Sequence, residues 1–262
     1  MKRIHVLVLA LAVLPVTGLA QTVIVFAAGS LRSPLTAIAS EFEKTGAYKV
    51  SATYGASGLL RDRIAGGEAA DVFASANMEH PQSLTAKGWS AKTVAFARNE
   101  LCILASKRVP VTTQNALDVM LDPQWKLGTS TPKADPSGDY AWDVFRRAEA
   151  MRPGALAILE GKARKLTGGP NSPAPPADRS VYAMLVAGGE ADVFLTYCTN
   201  ARQAVDEIAG LAIVPLPDAL RVGATYGIAV REGAPASAQA FADFLTSAPG
   251  QRALARFGFA PP

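Results

Sequence analysis

The sequence predicts an α/β fold with a largely parallel sheet, arranged as two lobes that face each other across a cleft. Strand-like and helix-like segments alternate almost from end to end, which favours crossover connections between parallel strands. Two strand-to-helix corners carry a serine among small residues, in Ala27-Ala28-Gly29-Ser30-Leu31 and Tyr54-Gly55-Ala56-Ser57-Gly58-Leu59-Leu60. Two passages of the chain, near residues 96–99 and 222–225, divide it into parts of similar size. The expected lobes are residues 21–97 with 225–262, and residues 98–224.

The elements follow from periodicity and punctuation. Val23-Ile24-Val25-Phe26 is apolar and β-prone, so residues 22–28 read as a strand. Residues 31–44 carry Leu35, Ile38, Ala39 and Phe42 at helical spacing. Residues 48–54 return as a strand, and 57–66 form a helix that Gly66-Gly67 ends. Residues 70–75 are a third strand, followed by a loop that holds His80-Pro81. Residues 99–105 are a strand entering the second lobe. Residues 113–121 read as a short helix, 125–129 as a strand, 132–138 as a loop and 139–150 as a long helix. The Gly-, Pro-, Asn- and Ser-rich stretch 168–176 is an exposed loop and not a linker. Residues 180–187 form a helix and 191–197 a strand. Residues 213–216 suit an edge strand, because Pro215 has no N–H for a ladder. Residues 224–230 are a strand, and 236–256 hold one or two helices. There is no internal repeat.

Residues 1–20 have the features of an export leader: Lys2 and Arg3, an apolar core over residues 6–14, and Gly18-Leu19-Ala20 before a cut at Gln21. The apolar core falls short of the roughly 18 residues a membrane span needs, and no later run reaches that length. About 240 residues remain, with a periplasmic address. The 26 basic and 22 acidic side chains are scattered, so nucleic-acid binding has no support. Cys102 and Cys198 can pair in an oxidising compartment. Both sit in apolar, strand-like runs, however, and the sequence favours two buried free thiols.

Catalytic chemistry has little to build on. His5 belongs to the leader, which leaves His80, and there is no G-x-S-x-G, so a serine triad is unsupported. A zinc site lacks ligands. Walker and dinucleotide fingerprints are absent, and no cofactor is expected. Glu68, Asp71, Asp135, Asp139 and Asp143 read as helix caps or solvated faces.

Anion binding is better served. Ser30 and Ser57 sit where small residues bare backbone N–H groups at helix starts, with nothing acidic in either corner. Ser137, in Pro136-Ser137-Gly138-Asp139-Tyr140-Ala141, stands at a third helix entry whose N–H groups await a partner. Tyr197 ends a strand with its phenol available to donate. Each serine alone suits a plain N-cap; the set, at the carboxyl ends of strands, suits a ligand.

These same stretches carry a resemblance. From Val23 to Phe259 the chain resembles the periplasmic molybdate-binding proteins, the substrate-binding components of molybdate ABC importers. The matching stretches are residues 25–31, Ala56-Ser57-Gly58 with Leu60, residues 67–76, 136–141 and 191–197, and the tail Ala248-Pro249-Gly250 with Arg256-Phe257-Gly258-Phe259. The resemblance implies a type II periplasmic binding protein fold, with two α/β lobes joined by two hinge crossings. It implies no enzyme activity and a monomer that delivers molybdate or tungstate to a membrane permease. The ligand contacts it implies are the hydroxyls and N–H groups of Ser30 and Ser57, the N–H groups of Ser137 and Arg179, and the hydroxyl of Tyr197. Neutral donors with no acceptor would reject a protonated oxyanion such as hydrogen phosphate.

The chain departs from the family pattern at three points. Arg179 stands where the family often has a small apolar residue, and its guanidinium is expected to point outward. The loop at 168–176 lies beside the cleft mouth. Cys198 follows Tyr197, where a free thiol could react with an oxyanion. A receptor for sulfate, phosphate or a carboxylate is the alternative. The more distant one is an exported hydrolase using Ser57 or Cys198.

Overall fold

The computed structural model describes residues 21–46, 48–173 and 179–262. The expected leader, residues 1–20, lies outside the described residues. Strand β1 (Gln21–Ala28) runs through a short turn, Gly29–Leu31, into helix α1 (Arg32–Glu43). Then come β2 (Tyr48–Gly55), α2 (Ser57–Ala65), β3 (Val72–Ser75) and α3 (Glu79–Thr85). The 17-residue strand β4 (Ser90–Ser106) leads to α4 (Ala116–Leu121), β5 (Leu127–Ser130), α5 (Pro136–Met151) and α6 (Ala155–Lys162). Next are β6 (Arg164–Thr167), α7 (Val181–Ala187), β7 (Val193–Tyr197), α8 (Cys198–Glu207) and β8 (Leu211–Pro215). The chain closes with β9 (Gly223–Arg231), α9 (Ala236–Thr246) and α10 (Ala248–Arg256).

The strands lie in the order β2-β1-β3-β9-β4-β7-β5-β6, with β8 also paired to β4. Parallel pairing holds on either side: β1 with β2 and β3, and β5 with β6 and β7. Between them β4 changes partner. Its residues up to Glu100 pair with β9, and from Leu101 onward they pair with β7 and β8. The Leu101 N–H also donates to the Val222 carbonyl at 3.1 Å. Both chain passages therefore meet at Glu100–Leu101. The main apolar cluster runs through this junction: it includes Leu35, Phe42 and Phe241 on one side and Leu127, Val144 and Phe145 on the other. Each fully buried Phe contributes about 1.5–3 kcal/mol, so packing and not intrinsic propensity holds the short helices in place.

Several segments differ from the sequence reading. His80 is not in a loop but in the first turn of α3, where Pro81 is tolerated because the N–H it lacks has no helical partner there. Helix α6 shows no periodic face in the sequence, since Ile158 is left exposed beside buried Leu159. The first half of β4 is masked by register shifts between Ser90 and Thr93 and between Ala95 and Ala97, which break the two-residue alternation. The expected helix over 139–150 begins earlier, at Pro136.

The cysteines are also corrected: they form a disulfide, not free thiols. Antiparallel pairing of β4 with β7 sets Cys102 opposite Thr196, and Cys198 is the first residue beyond β7. Their Cα atoms lie 4.9 Å apart, within bridging range. Cys102 is buried in its strand as the sequence suggests, but Cys198 opens α8 and is half-buried, and the pairing of β4 with β7 brings the two sulfurs together. The bridged Cys198 is not available to react with an oxyanion.

Candidate functional site

The C-terminal ends of the parallel strands converge from both sides of the sheet on one cavity of about 300 Å³. Ser30 follows β1, Ser57 follows β2, and Tyr197 ends β7; all three line this cavity, and Arg179 stands on its wall just before α7. That is where ligands sit in open α/β sheets.

Ser57 is 1% exposed and opens α2. Its Oγ accepts the Ala76 N–H at 3.1 Å, which leaves its own proton to donate into the cavity. The Ser30 Oγ lies 2.9 Å from the phenol of Tyr226, and Asn99 Nδ2 donates to that phenol at 3.4 Å. Tyr197 donates to the Ala76 carbonyl at 3.4 Å, the long end of hydrogen-bond range. Burial pushes the pKa values of Tyr197 and Tyr226 well above the ordinary phenol range, so both stay protonated donors.

The two sides of the cavity touch. Gly58 N–H, in the first turn of α2, donates to the Ala134 carbonyl at 2.9 Å. Ala134 precedes α5, across the cleft. A Cβ at Gly58 would stand 2.5 Å from the Lys133 carbonyl oxygen and 2.7 Å from that of Ala134. This is a close approach that glycine permits. Rings from both sides also pack, with Tyr197 and Tyr226 centroids 5.6 Å apart.

Ser137 requires a correction. It is fully buried, does not line the cavity, and its N–H does not await a partner: it donates to Asp135 Oδ1 at 3.0 Å. Asp135 is the N-cap of α5 and takes the place an anion would have at that helix start. Asp135 is half-buried, with its open side on the cavity wall. The site is therefore not a donor-only pocket, and the argument that it rejects hydrogen phosphate for want of an acceptor does not hold. Burial raises the Asp135 pKa to about 6, against the opposing hydrogen bond from Ser137.

Arg179 lines the cavity with its guanidinium paired to a carboxylate. Its Nε donates to Glu207 Oε1 at 2.9 Å, while Glu207 Oε2 accepts the Ser180 N–H at 2.6 Å. Arg32, at the start of α1, lines the cavity and stacks over the Tyr54 ring at 4.8 Å. The sequence reading missed this cation; the signal was a basic residue two positions after Ser30. It also missed Tyr182 and Asn200, which line the floor, because nothing local marks a tyrosine in a helix as facing a cleft. Gly168, Gly169, Pro170, Ser172 and Pro173 form one wall, so the loop over 168–173 does shape the cleft. The rest of that loop, 174–176, lies outside the described residues. Among the described residues no histidine lines the cavity. His80 packs elsewhere, and burial, with Arg61 nearby, lowers its pKa to about 4.

Comparison with known proteins bears on this site. A family profile described as bacterial extracellular solute-binding protein matches residues 23–260. An uncharacterized protein of Pasteurella multocida is 37% identical over 206 residues, covering 78% of this chain and 85% of its own length. A molybdate-binding protein of Mycobacterium tuberculosis, ModA, is 29% identical over 249 residues, or 93% of this chain and 86% of its own. Among solved structures, the periplasmic molybdate-binding protein of Azotobacter vinelandii superposes with a TM-score of 0.73 at 20% identity, over 92% of this chain and 99% of its own. That last likeness speaks to the fold.

Proposed function

The chain belongs to the bacterial extracellular solute-binding protein family, and from that premise we propose that it captures a tetrahedral oxyanion, molybdate or tungstate, in the periplasm. It hands the anion to the membrane permease of an ABC importer. The observation that carries this reading is the meeting of Ser30, Ser57 and Tyr197, from opposite sides of the sheet, on one cavity. The Ser57 hydroxyl is fixed by the Ala76 N–H and that of Ser30 by Tyr226, so little ordering of these two remains when the anion arrives, and the Tyr197 proton turns from its long bond with the Ala76 carbonyl to the anion. Each charge-assisted bond to a desolvated oxyanion contributes about 1.5–3 kcal/mol. The backbone N–H groups of Ser30, Ser57 and Arg179 complete the cage in this reading, and Arg32 adds positive charge at the rim.

The two lobes, residues 21–97 with 225–262 and residues 98–224, close about the Glu100–Leu101 junction. The protein acts as a monomer and does no covalent chemistry. The similarity to molybdate-binding relatives supports the choice of ligand, and the cavity supports binding over catalysis.

Thermal melts with molybdate, tungstate, sulfate, phosphate and chromate test the reading. Ligand at 100 to 1,000 times Kd stabilises by about 2.7–4.1 kcal/mol. At roughly 2–4 °C per kcal/mol, the melting temperature should rise by about 5–15 °C with molybdate or tungstate. A melt that neither of these moves overturns the assignment, and a response to sulfate or phosphate alone redirects it to another oxyanion.

A further inference from the structure

The Asp135 carboxyl shares the cavity wall with the hydroxyls of Ser57 and Tyr197. It is anchored, not swinging: Oδ1 holds the Ser137 N–H at 3.0 Å, and Oδ2 lies against Gly168, where a Cβ on that residue would collide with it. A doubly charged anion entering this space meets a fixed carboxylate at the mouth of α5. Two like charges cannot be desolvated together at close range without one of them being neutralised. We propose that oxyanion capture is coupled to uptake of one proton by Asp135, which turns its carboxylate from an obstacle into an O–H donor toward the anion. The proton comes from solvent onto a carboxylate oxygen, and no other bond changes. This inference rests on the oxyanion reading given above.

The surroundings of Asp135 support protonation on anion binding. Asp139, on the next turn of α5, adds negative charge; its Oδ1 accepts the Lys133 N–H at 2.8 Å. Tyr182, Tyr197 and Tyr226, from α7, β7 and β9, face the same region with pKa values pushed up by burial, so none of them offers a charge. Ser130 closes the β5 side. Of the two cations beside the cavity, Arg179 is paired with Glu207, and Arg32, stacked on the Tyr54 ring, keeps its charge at the rim, away from the α5 side where Asp135 stands. The carboxyl already titrates near pH 6 because of burial, so the uptake falls in an accessible range.

The linkage is explicit. At pH 5 Asp135 is mostly protonated before binding, and little uptake accompanies capture. At pH 8 it is ionised, and binding should draw about one proton per anion. Over that interval affinity for molybdate should fall, approaching tenfold per pH unit and reaching roughly 100-fold at pH 8.

Calorimetric titration with molybdate, in buffers of different ionisation enthalpy at pH 5, 6, 7 and 8, counts the protons directly. The variant Asp135→Asn keeps an N-cap acceptor for Ser137. It should bind molybdate with no proton uptake and a flat pH profile, more tightly than the parent at pH 8. A parent protein that binds molybdate at pH 8 without taking up a proton overturns the inference and leaves the oxyanion reading intact. So does an Asp135→Asn variant that keeps the parent's pH profile. Absence of molybdate binding at every pH, in a parent that melts cooperatively, overturns the molybdate reading itself.

Discussion

Replacing Gly58 by alanine should weaken molybdate binding by roughly 5–100-fold while leaving the ligand-free protein as stable as before, or more so. The added methyl would stand 2.5 Å from one backbone carbonyl oxygen and 2.7 Å from the next, at Lys133 and Ala134. Neither obstacle is a side chain that can swing aside. The segment has little slack: Lys133 already holds a left-handed backbone conformation, φ 68°, and its N–H is tied to Asp139. Overpacking of this kind costs about 1–3 kcal/mol. The cost falls on the arrangement in which α2 meets the opposite side of the cleft, so under the hinge closure proposed above it appears as lost affinity and not as lost stability. In the open chain the change favours α2, since alanine is better than glycine in a helix by about 0.8–1 kcal/mol. Calorimetric affinity and the melting temperature of the ligand-free chain should therefore move in opposite directions. An unchanged affinity would show that the contact between Gly58 and Ala134 plays no part in gripping the anion.

The second large effect concerns the Cys102–Cys198 bridge. The two cysteines are 96 residues apart in sequence, so the bridge closes a long loop in the unfolded chain. In the chain-entropy account such loops give the largest stabilisation, and loss of a native bridge costs about 2–5 kcal/mol. The double variant Cys102→Ser, Cys198→Ser should melt roughly 5–15 °C lower than the parent. Affinity should fall as well, because the bridge pins the residue next to Tyr197, whose phenol faces the cavity. Reduction of the parent under mild denaturation should reproduce the shift. A variant with the parent's melting temperature would mean that strand pairing alone holds this corner.

Much of the fold was legible because the strands are short, apolar and separated by helices with clear faces. Val23, Val25 and Phe26, and the stripe Leu35, Ile38 and Phe42, are buried as their spacing suggests. The illegible parts have physical reasons. Register shifts hide the alternation in the first half of β4. Helix α6 has no consistent apolar face, and α3 carries a proline in its first turn.

The site was legible where residue type and position coincide. Small residues with serine at a strand end marked Ser30 and Ser57, and a strand-end phenol marked Tyr197. It was not legible where two segments distant in sequence compete for one group. Asp135 reads locally as a helix cap, and it is one, taking the Ser137 N–H; that it also borders the ligand space follows from how β5, β6 and β7 end together. The same holds for the cysteines, whose pairing depends on strand register.

The aromatic contact behind the cavity has a consequence for watching the protein work. Tyr197 and Tyr226 come from opposite sides of the cleft with ring centroids 5.6 Å apart, and Tyr140 lies 6.3 Å from Tyr197. Buried, closely coupled phenols of this kind absorb circularly polarised near-ultraviolet light according to their mutual angle. Opening and closing should thus be readable as a change in dichroism, and the molecule carries its own optical gauge without any attached dye.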